Sequence, residues 1–302
     1  MASNPQQSTV DREILGRVAG LQLRARHLAA GIVSGLHRSA YQGFSQEFVQ
    51  HRNYTPGDDL RYVDWKLFGR SDRLVVRQYQ QERNLRLILA VDCSESMLFR
   101  SPRSPMTKYE AGCTIAAAAA YIAMLQQDAV GLALLGSGIE RLIEPSNRTG
   151  YWNTLTRILA ERTPAGPADL AGNLRKLADR LTRPALIMLV SDLLGDSEAV
   201  VRNLAWFSRR DRELMVLHVM DPAELDLDAG PAARFEDMES EAWMNVDPPA
   251  VRKAYRQQVE QFVHKVSSTC AGLKADYELF DTSKPLHHGL VEMLSRRNAR
   301  VH

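Results

Sequence analysis

The strongest constraint in the sequence is an almost uninterrupted apolar run at residues 85–91, which ends in Asp92. A strand that is apolar on both faces has to be covered on both faces, and this is typical of the inner strands of a parallel sheet. The pattern recurs at residues 185–190, directly before Ser191 and Asp192. The two runs therefore predict two inner strands, each of which ends close to an aspartate.

Helical patterns alternate with these strands. Thr107 and Glu110 form a capping box, in which both side chains bind backbone donors of the first turn, and this predicts a helix to about residue 127. Asp247 and the prolines after it predict the start of a long helix at 249–269. The remaining strands are predicted at 130–135, 141–143, 214–219 and 277–280, and the remaining helices at 151–161, 170–181, 198–208 and 286–296. This alternation predicts a doubly wound, mostly parallel α/β sheet, whose ligands bind beyond the carboxyl ends of its strands.

The chain before residue 85 has a different character. Residues 11–36 carry aliphatic side chains at helical spacing with arginines between them, which predicts one amphipathic helix. Residues 39–81 are rich in aromatic residues and glycine, and they predict a small β-rich unit. We therefore divide the chain into residues 1–84, an N-terminal helix plus a small β-rich subdomain, and residues 85–302, the α/β domain. Residues 221–247 break the alternation and are predicted to form a hairpin-like insertion.

Charge and cysteine content exclude several classes of protein. Lysine and arginine number 38 against 36 acidic residues, so no overall field favours nucleic acid or an anionic membrane. The 3 cysteines form no Cys-x-x-Cys pair, which favours a reducing compartment and argues against a structural zinc site. The first ten residues lack the pattern of a signal peptide, and the most apolar stretch, 113–125, is too short to span a bilayer. We expect a cytoplasmic protein without a transmembrane segment.

Oxygen-bearing side chains cluster where the first inner strand ends. Asp92, Ser94 and Ser96 alternate along the chain, so that they can face one point, and Asp192 follows the second inner strand. Oxygen ligands of this kind suit a hard divalent cation such as Mg²⁺. A simpler interpretation stays open, in which Asp92 and Ser94 only cap the helix that follows. Both interpretations can hold at once.

This arrangement resembles a von Willebrand factor A domain with its metal-ion-dependent adhesion site. The block at residues 52–65, Arg-Asn-Tyr-Thr-Pro-Gly-Asp-Asp-Leu-Arg-Tyr-Val-Asp-Trp, is more specific, because it resembles the signature before such a domain in a bacterial family named domain of unknown function fifty-eight. The resemblance extends from about residue 31 to the C-terminus. It implies a cytosolic or peripherally membrane-associated protein, commonly encoded beside a MoxR-type AAA+ ATPase, with no established reaction.

The resemblance also implies a ligand set. Asp92, Ser94, Ser96 and Asp192 would hold Mg²⁺ and leave one coordination position for an acidic residue of a partner. The family pattern has a ligand threonine in a Gly-Thr-Asp-Leu run, but residues 166–170 are Gly-Pro-Ala-Asp-Leu, with Ala168 in its place. Asp169 can compensate through a water, or the site is a structural remnant. If the site works, we expect weak Mg²⁺ binding.

The signature block itself has two possible uses. Its turn, Pro-Gly-Asp-Asp, is followed by charged residues that alternate with apolar ones. These residues either form buried ion pairs that tie the N-terminal unit to the α/β domain, or they present a surface to a partner. The residues concerned are Arg52, Tyr54, Gly57, Asp58, Asp59, Arg61, Asp64 and Trp65.

Two other functions were weighed. A phosphatase of the haloacid dehalogenase type needs a second carboxylate two residues after its nucleophilic aspartate, and that position is Ser94 here. Nucleic-acid binding would depend on the arginines of residues 12–38 and on Arg70, Arg73, Arg77 and Arg83, but arginines along an amphipathic helix usually form its solvated face. The sequence favours a non-enzymatic protein-interaction module, an adaptor or co-chaperone for an AAA+ ATPase of the MoxR type.

Overall fold

The computed structural model of the chain describes residues 5–35, 50–55, 63, 65–71, 73–78, 85–195, 197–207, 212–227, 233–236, 238, 243–246 and 248–301. The strands in this part of the chain are β1 (Gln50–Asn53), β2 (Val75–Gln78), β3 (Arg86–Asp92), β4 (Ala129–Leu135), β5 (Ile139–Ser146), β6 (Ala185–Ser191), β7 (Arg212–Met220), β8 (Ala233–Glu236), β9 (Trp243–Val246) and β10 (Asp276–Asp281). The helices are α1 (Pro5–Gly35), α2 (Trp65–Ser71), α3 (Lys108–Leu125), α4 (Tyr151–Glu161), α5 (Leu170–Arg180), α6 (Ser197–Leu204), α7 (Pro222–Asp226), α8 (Pro248–Gly272) and α9 (Leu286–Val301).

Six of the described strands form one sheet in the order β10, β7, β6, β3, β4, β5. The strands pair in parallel, except that β4 and β5 are antiparallel. Side chains alternate between the faces, so Leu87, Leu89 and Val91 of β3 belong to one core and Ile88 and Ala90 to the other. The predicted doubly wound, mostly parallel α/β sheet is therefore confirmed.

Helices cover both faces of this sheet. Buried residues of α1, α3, α4 and α9 pack on one face, and those of α5, α6 and α8 pack on the other. The capping box predicted at the start of α3 is present, because Thr107 Oγ1 accepts a hydrogen bond from Glu110 N at 3.1 Å and Glu110 Oε2 accepts one from Thr107 N at 2.9 Å. This box fixes where α3 begins and so where Lys108 lies.

Helix α3 lies very close to the sheet at Gly112. A Cβ atom at this position would lie 2.6 Å from Cγ1 of Val190 in β6, which is closer than side chains tolerate. The glycine therefore permits contact between the first half of α3 and the end of β6. Since Asp192 follows β6, this contact brings the start of α3 to the carboxyl end of the sheet.

The long helix α1 belongs to the same packed body. It buries Leu21, Ala25, Leu28, Ala29 and Ile32, and it packs mainly on α3 and also on α4 and α9. The amphipathic helix predicted at 11–36 begins earlier, at Pro5. Strands β1 and β2 form a separate antiparallel pair, as do β8 and β9 within 221–247. The division at residue 84 and the insertion remain predictions.

Candidate functional site

Two aspartates meet at the carboxyl end of the sheet because their strands are neighbours. The parallel pairing of β3 with β6 sets Val91 opposite Val190, so both strands end at the same level. Asp92 ends β3 and Asp192 follows β6, and each residue is no more than 2% exposed. Strand order and register therefore bring together two carboxylates that are separated by 100 residues of sequence.

Both oxygens of Asp92 accept hydrogen bonds. Oδ1 accepts one from the Ser94 backbone N–H at 2.9 Å, and Oδ2 accepts one from the Ser191 hydroxyl at 2.5 Å. Burial, and after it the charge of Asp192, raise the pKa of Asp92 to about 7, against the lowering effect of these hydrogen bonds. The Asp92 carboxylate thus lies in an environment that does not fully compensate its negative charge.

Asp192 is held in a similar way, but it also has a cationic partner. Its Oδ1 accepts a hydrogen bond from Leu194 N at 3.1 Å, and its Oδ2 accepts one from the Ser96 hydroxyl at 2.8 Å. Ser94 Oγ lies 3.0 Å from Ser96 Oγ.

Ser94 precedes the single 3₁₀ turn Glu95–Leu98 but makes no side-chain capping bond there. Asp92 binds the backbone N–H of Ser94, directly before this turn, and not the backbone of the turn itself.

Lys108 is the cationic partner, and the sequence analysis did not select it. The side chain is fully buried, and its Nζ lies 2.7 Å from Asp192 Oδ2 and 2.5 Å from Glu224 Oε1. Burial lowers the pKa of Lys108, but the charges of Asp192 and Glu224 outweigh burial and raise it overall. A lysine in the first turn of α3 was a usable signal, because helix N-termini disfavour cations.

Glu224 reaches this lysine from a rigid turn. Its other oxygen, Oε2, accepts a hydrogen bond from Asp221 N at 2.9 Å, as part of the capping box of α7. Asp221 in turn accepts hydrogen bonds from Ala223 N and Ser101 N, each at 2.9 Å. The Glu224 carboxylate is therefore fixed by backbone contacts as well as by Lys108.

His218 supports the backbone of Asp192 and adds no charge to the site. Its Nε2 lies 2.9 Å from the Asp192 carbonyl oxygen, and its Nδ1 lies 2.8 Å from the Tyr277 hydroxyl. A carbonyl oxygen only accepts, so Nε2 carries the hydrogen and Nδ1 accepts from Tyr277. Burial lowers the pKa of His218 to about 4, which keeps the ring neutral at physiological pH.

The loop that contains Ala168 lies against the turn after Asp92. Ala165 N donates to Cys93 O at 3.2 Å, and Glu95 N donates to Gly166 O at 2.9 Å. Asp169 caps α5, since its Oδ1 accepts a hydrogen bond from Gly172 N at 2.9 Å, and its side chain is 54% exposed. The structure thus gives Asp169 a capping role, and its part in a metal site remains a prediction.

The signature block is described only in part. Gly57, Asp58, Asp59, Arg61 and Asp64 lie outside the described residues. Arg52 lies in β1 opposite Val76 of β2, Tyr54 N donates to Leu74 O at 2.9 Å, and Trp65 begins α2. The two proposed uses of this block therefore both remain predictions.

The donor set at the carboxyl end of the sheet fits a hard divalent cation. Asp92, Ser94, Ser96 and Asp192 offer carboxylate and hydroxyl oxygens, which Mg²⁺ prefers. The Lys108 ammonium group contacts the carboxylates of Asp192 and Glu224 but not that of Asp92, whose charge interacts with Asp192, so with all four groups ionised the cluster carries two formal negative charges in excess. Within the described residues, no group of three or more histidine, cysteine, aspartate or glutamate side chains is arranged to hold a metal. A cation here would therefore depend on the two serine hydroxyls.

Comparison with known proteins identifies the family. A family model described as "Protein of unknown function DUF58" matches residues 50–265, which include the two aspartates, the two serines and the Lys108–Glu224 pair of the site. The chain belongs to this family. The resemblance drawn from the 52–65 block is thereby confirmed.

The chain is also similar to other proteins in sequence and in structure. Uncharacterized proteins of Mycobacterium tuberculosis and Mycobacterium bovis are each 29% identical over 223 residues, which cover 72% of this chain and 68% of each relative. The crystal structure of BatB from Bacteroides thetaiotaomicron has a TM-score of 0.45 at 12% identity, covering 71% of this chain and 99% of that one. The SpRpn10 VWA domain has a TM-score of 0.38 at 10% identity, covering 70% and 94%. At these identities the likeness concerns the fold alone.

Among the helices of the described residues, none is long and apolar enough to cross a membrane.

Proposed function

We propose that this member of the family is a non-enzymatic, cytoplasmic protein-interaction module that acts as an adaptor or co-chaperone for a MoxR-type AAA+ ATPase. The observation that carries the proposal is the meeting of Asp92 and Asp192 at the carboxyl end of the sheet, linked by two serine hydroxyls. Ligands of doubly wound sheets bind at this end. The site is therefore where we expect a partner to bind.

The same residues would hold Mg²⁺ at this site. When bound, the ion supplies a coordination position for an acidic side chain of the partner. Ser94 N and Ser191 orient the carboxylate of Asp92, while Leu194 N and Ser96 orient that of Asp192. Each carboxylate is thus held in place before a cation arrives, which lowers the entropic cost of binding.

A cavity next to the site offers room for the chain of the partner. It has a volume of about 620 Å³, and residues of α1, α3 and α4 and of the segments next to α3 and α4 line it. Leu98, two residues after Ser96, and Thr107, which precedes Lys108, both line it. Charged residues of both signs also line it, among them Glu13, Arg17, Arg24 and Glu110. A peptide segment that carries both apolar and charged side chains fits such a lining.

The chemistry of the buried groups supports a role without catalysis. Both ring nitrogens of His218 are engaged in hydrogen bonds, and its lowered pKa makes it a poor general base. Burial raises the pKa of Cys93 to about 12, so its thiol stays protonated and is a poor nucleophile. Two groups suited to acid, base or covalent chemistry are therefore held in inactive forms.

Three of the arginines of α1 that suggested nucleic-acid binding contact the protein itself. Arg17 donates to the Arg162 carbonyl oxygen at 3.2 Å, Arg24 donates to Thr114 Oγ1 at 3.4 Å, and Arg26 lies over the Trp152 ring at 5.1 Å. These contacts favour a structural use of the arginines of α1. They give no support to the nucleic-acid alternative.

Co-purification tests the proposal. Tagged wild type, Asp92→Asn and Asp276→Asn would be used to capture the MoxR-type ATPase of the source organism, with Mg²⁺ or with a chelator. Asp276 is the matched control, because it is a buried aspartate at the opposite end of the sheet. We expect the ATPase with wild type and Asp276→Asn in Mg²⁺, and its loss with Asp92→Asn. Since the ATPase needs Mg²⁺ for its own nucleotide, the Asp92→Asn result decides.

Two results would contradict the proposal. Undiminished capture by Asp92→Asn would exclude this site as the partner site. Phosphate-ester turnover that disappears in Asp92→Asn would show that the chain is an enzyme after all.

A further inference from the structure

Lys108 occupies a position that is unfavourable for a lysine by two criteria. It is fully buried, which deprives the ammonium group of its hydration, and it lies in the first turn of α3, where the helix dipole repels a cation. The other residues of α3 that are buried are mostly small and apolar. Helix stability therefore does not explain the lysine, but the adjacent carboxylates do.

The contacts of Lys108 connect it to the candidate cation site through one atom. Its Nζ lies 2.7 Å from Asp192 Oδ2, the same oxygen that accepts the hydrogen bond of Ser96. A divalent cation that binds Asp192 would share this oxygen with the ammonium group and would be repelled by its charge. Lys108 thus acts on the affinity of the site without being one of its ligands.

Glu224 is the second carboxylate in contact with Lys108, so Asp192 and Glu224 share one ammonium group. It contacts Nζ at 2.5 Å, and its side chain is 17% exposed. The backbone N–H of Asp221 anchors its second oxygen, so Glu224 keeps its position whether or not Asp192 binds a cation. Glu224 therefore remains a charged partner of Lys108 when a cation binds to Asp192.

We propose that Lys108 is an internal counter-ion that sets the cation affinity of the site, and that Glu224 is the positioning residue that limits its effect on Asp192. This inference rests on the proposed cation site. The formal charge of Asp92, Asp192, Glu224 and Lys108 together is two negative charges. Substitutions that make this total more negative raise the Mg²⁺ affinity and those that make it less negative lower it, whereas a merely structural ion pair would affect stability alone.

Three variants of the full chain form a charge series, and a fourth is the control. Lys108→Met adds one negative charge to the cluster, Glu224→Gln removes one, and the double variant leaves the total unchanged. Arg297→Met is the matched control, because Arg297 also bridges two carboxylates, Asp276 and Glu213, at the other end of the sheet. Mg²⁺ binding is measured by titration calorimetry, and folding by circular dichroism.

The expected order of Mg²⁺ affinity is Lys108→Met, then wild type and the double variant together, then Glu224→Gln. Each step should amount to about tenfold in Kd, the order expected for one unit charge at contact distance in a protein. Arg297→Met should match wild type. The melting temperature of Lys108→Met should rise more on Mg²⁺ addition than that of wild type.

Several results would overturn the inference. If wild type binds Mg²⁺ and Lys108→Met binds it no more tightly, the counter-ion role is wrong while the cation site stands. If wild type and all variants bind none, both the site and the inference fail. If Lys108→Met does not fold, Glu224→Gln and the double variant decide, and equal affinity of these two would refute the charge model.

Discussion

At each end of the central sheet one cationic side chain bridges two carboxylates, but the two bridges differ in how deeply they are buried. At the carboxyl end, Lys108 bridges Asp192 and Glu224, with side chains 0%, 2% and 17% exposed. At the amino end, Arg297 bridges Asp276 and Glu213, and the Glu213 side chain is 58% exposed. Water screens the excess charge at the amino end, whereas at the carboxyl end a further buried carboxylate, Asp92, adds to it. The ion pairs and the surrounding water thus compensate the charges at the amino end, whereas negative charge remains in excess at the carboxyl end.

The largest expected effect is a difference in how much the two bridges contribute to the unfolding free energy of the protein. In a chelator, Lys108→Met should lose about 3–5 kcal/mol of unfolding free energy, because it leaves two buried carboxylates without their cation. Arg297→Met should lose on the order of 1 kcal/mol, because one of its partners is exposed to water. Chemical denaturation of both variants measures this. Equal losses would show that the two ends of the sheet do not differ as described.

A second prediction concerns pH and the carboxyl end alone. The raised pKa of Asp92, about 7, means that the folded state holds a proton more tightly than the unfolded chain, where an aspartate has a pKa of about 3.9. Its contribution favours folding at low pH and is lost as the pH rises through about 7. In a chelator, wild type should therefore lose stability relative to Asp92→Asn between about pH 4 and 7, by roughly 3 kcal/mol.

Denaturation of the two proteins at several pH values checks this prediction. Mg²⁺ should reduce the difference, because a bound cation favours the ionised carboxylate. A constant difference between wild type and Asp92→Asn across this pH range would mean that the charge of Asp92 is already compensated.

A smaller effect concerns the loop beside the site. Ala168→Thr restores the hydroxyl of the family pattern and should tighten Mg²⁺ binding by about 1 kcal/mol, roughly fivefold in Kd. Ala165→Thr, in the same loop, is the control and should leave the affinity unchanged. Calorimetric titration of both variants is the measurement. Equal affinities of the two variants would place the hydroxyl of residue 168 outside the site.

Local sequence patterns were enough to predict the central sheet. The apolar runs before Asp92 and Ser191 became β3 and β6, and the capping box at Thr107 started α3 as expected. The predicted strand at 141–143 was too short, because β5 pairs with β4 across register shifts and has no continuous apolar pattern. Periodicity therefore identifies buried strands better than partly exposed ones at the edge of a sheet.

The site was predictable only where its residues follow the strand ends. Strand order brings Asp92 and Asp192 together, and this order follows from the fold class. Lys108 and Glu224 are 116 residues apart in sequence, and their contact depends on the close approach of α3 to β6 at Gly112 and on the start of α7. No local sequence pattern predicts such packing between distant elements. The unfavourable placement of a lysine at a helix N-terminus was the one available sign.

Calorimetric titration of wild type, Asp92→Asn and Asp276→Asn with Mg²⁺ at neutral pH tests the central claim most directly. The two variants remove one carboxylate charge each, at opposite ends of the same sheet. Wild type and Asp276→Asn should bind Mg²⁺ weakly and equally, and Asp92→Asn should show no binding. Binding by Asp92→Asn equal to that of wild type, or no binding by wild type, would contradict a cation site at the carboxyl end of the sheet.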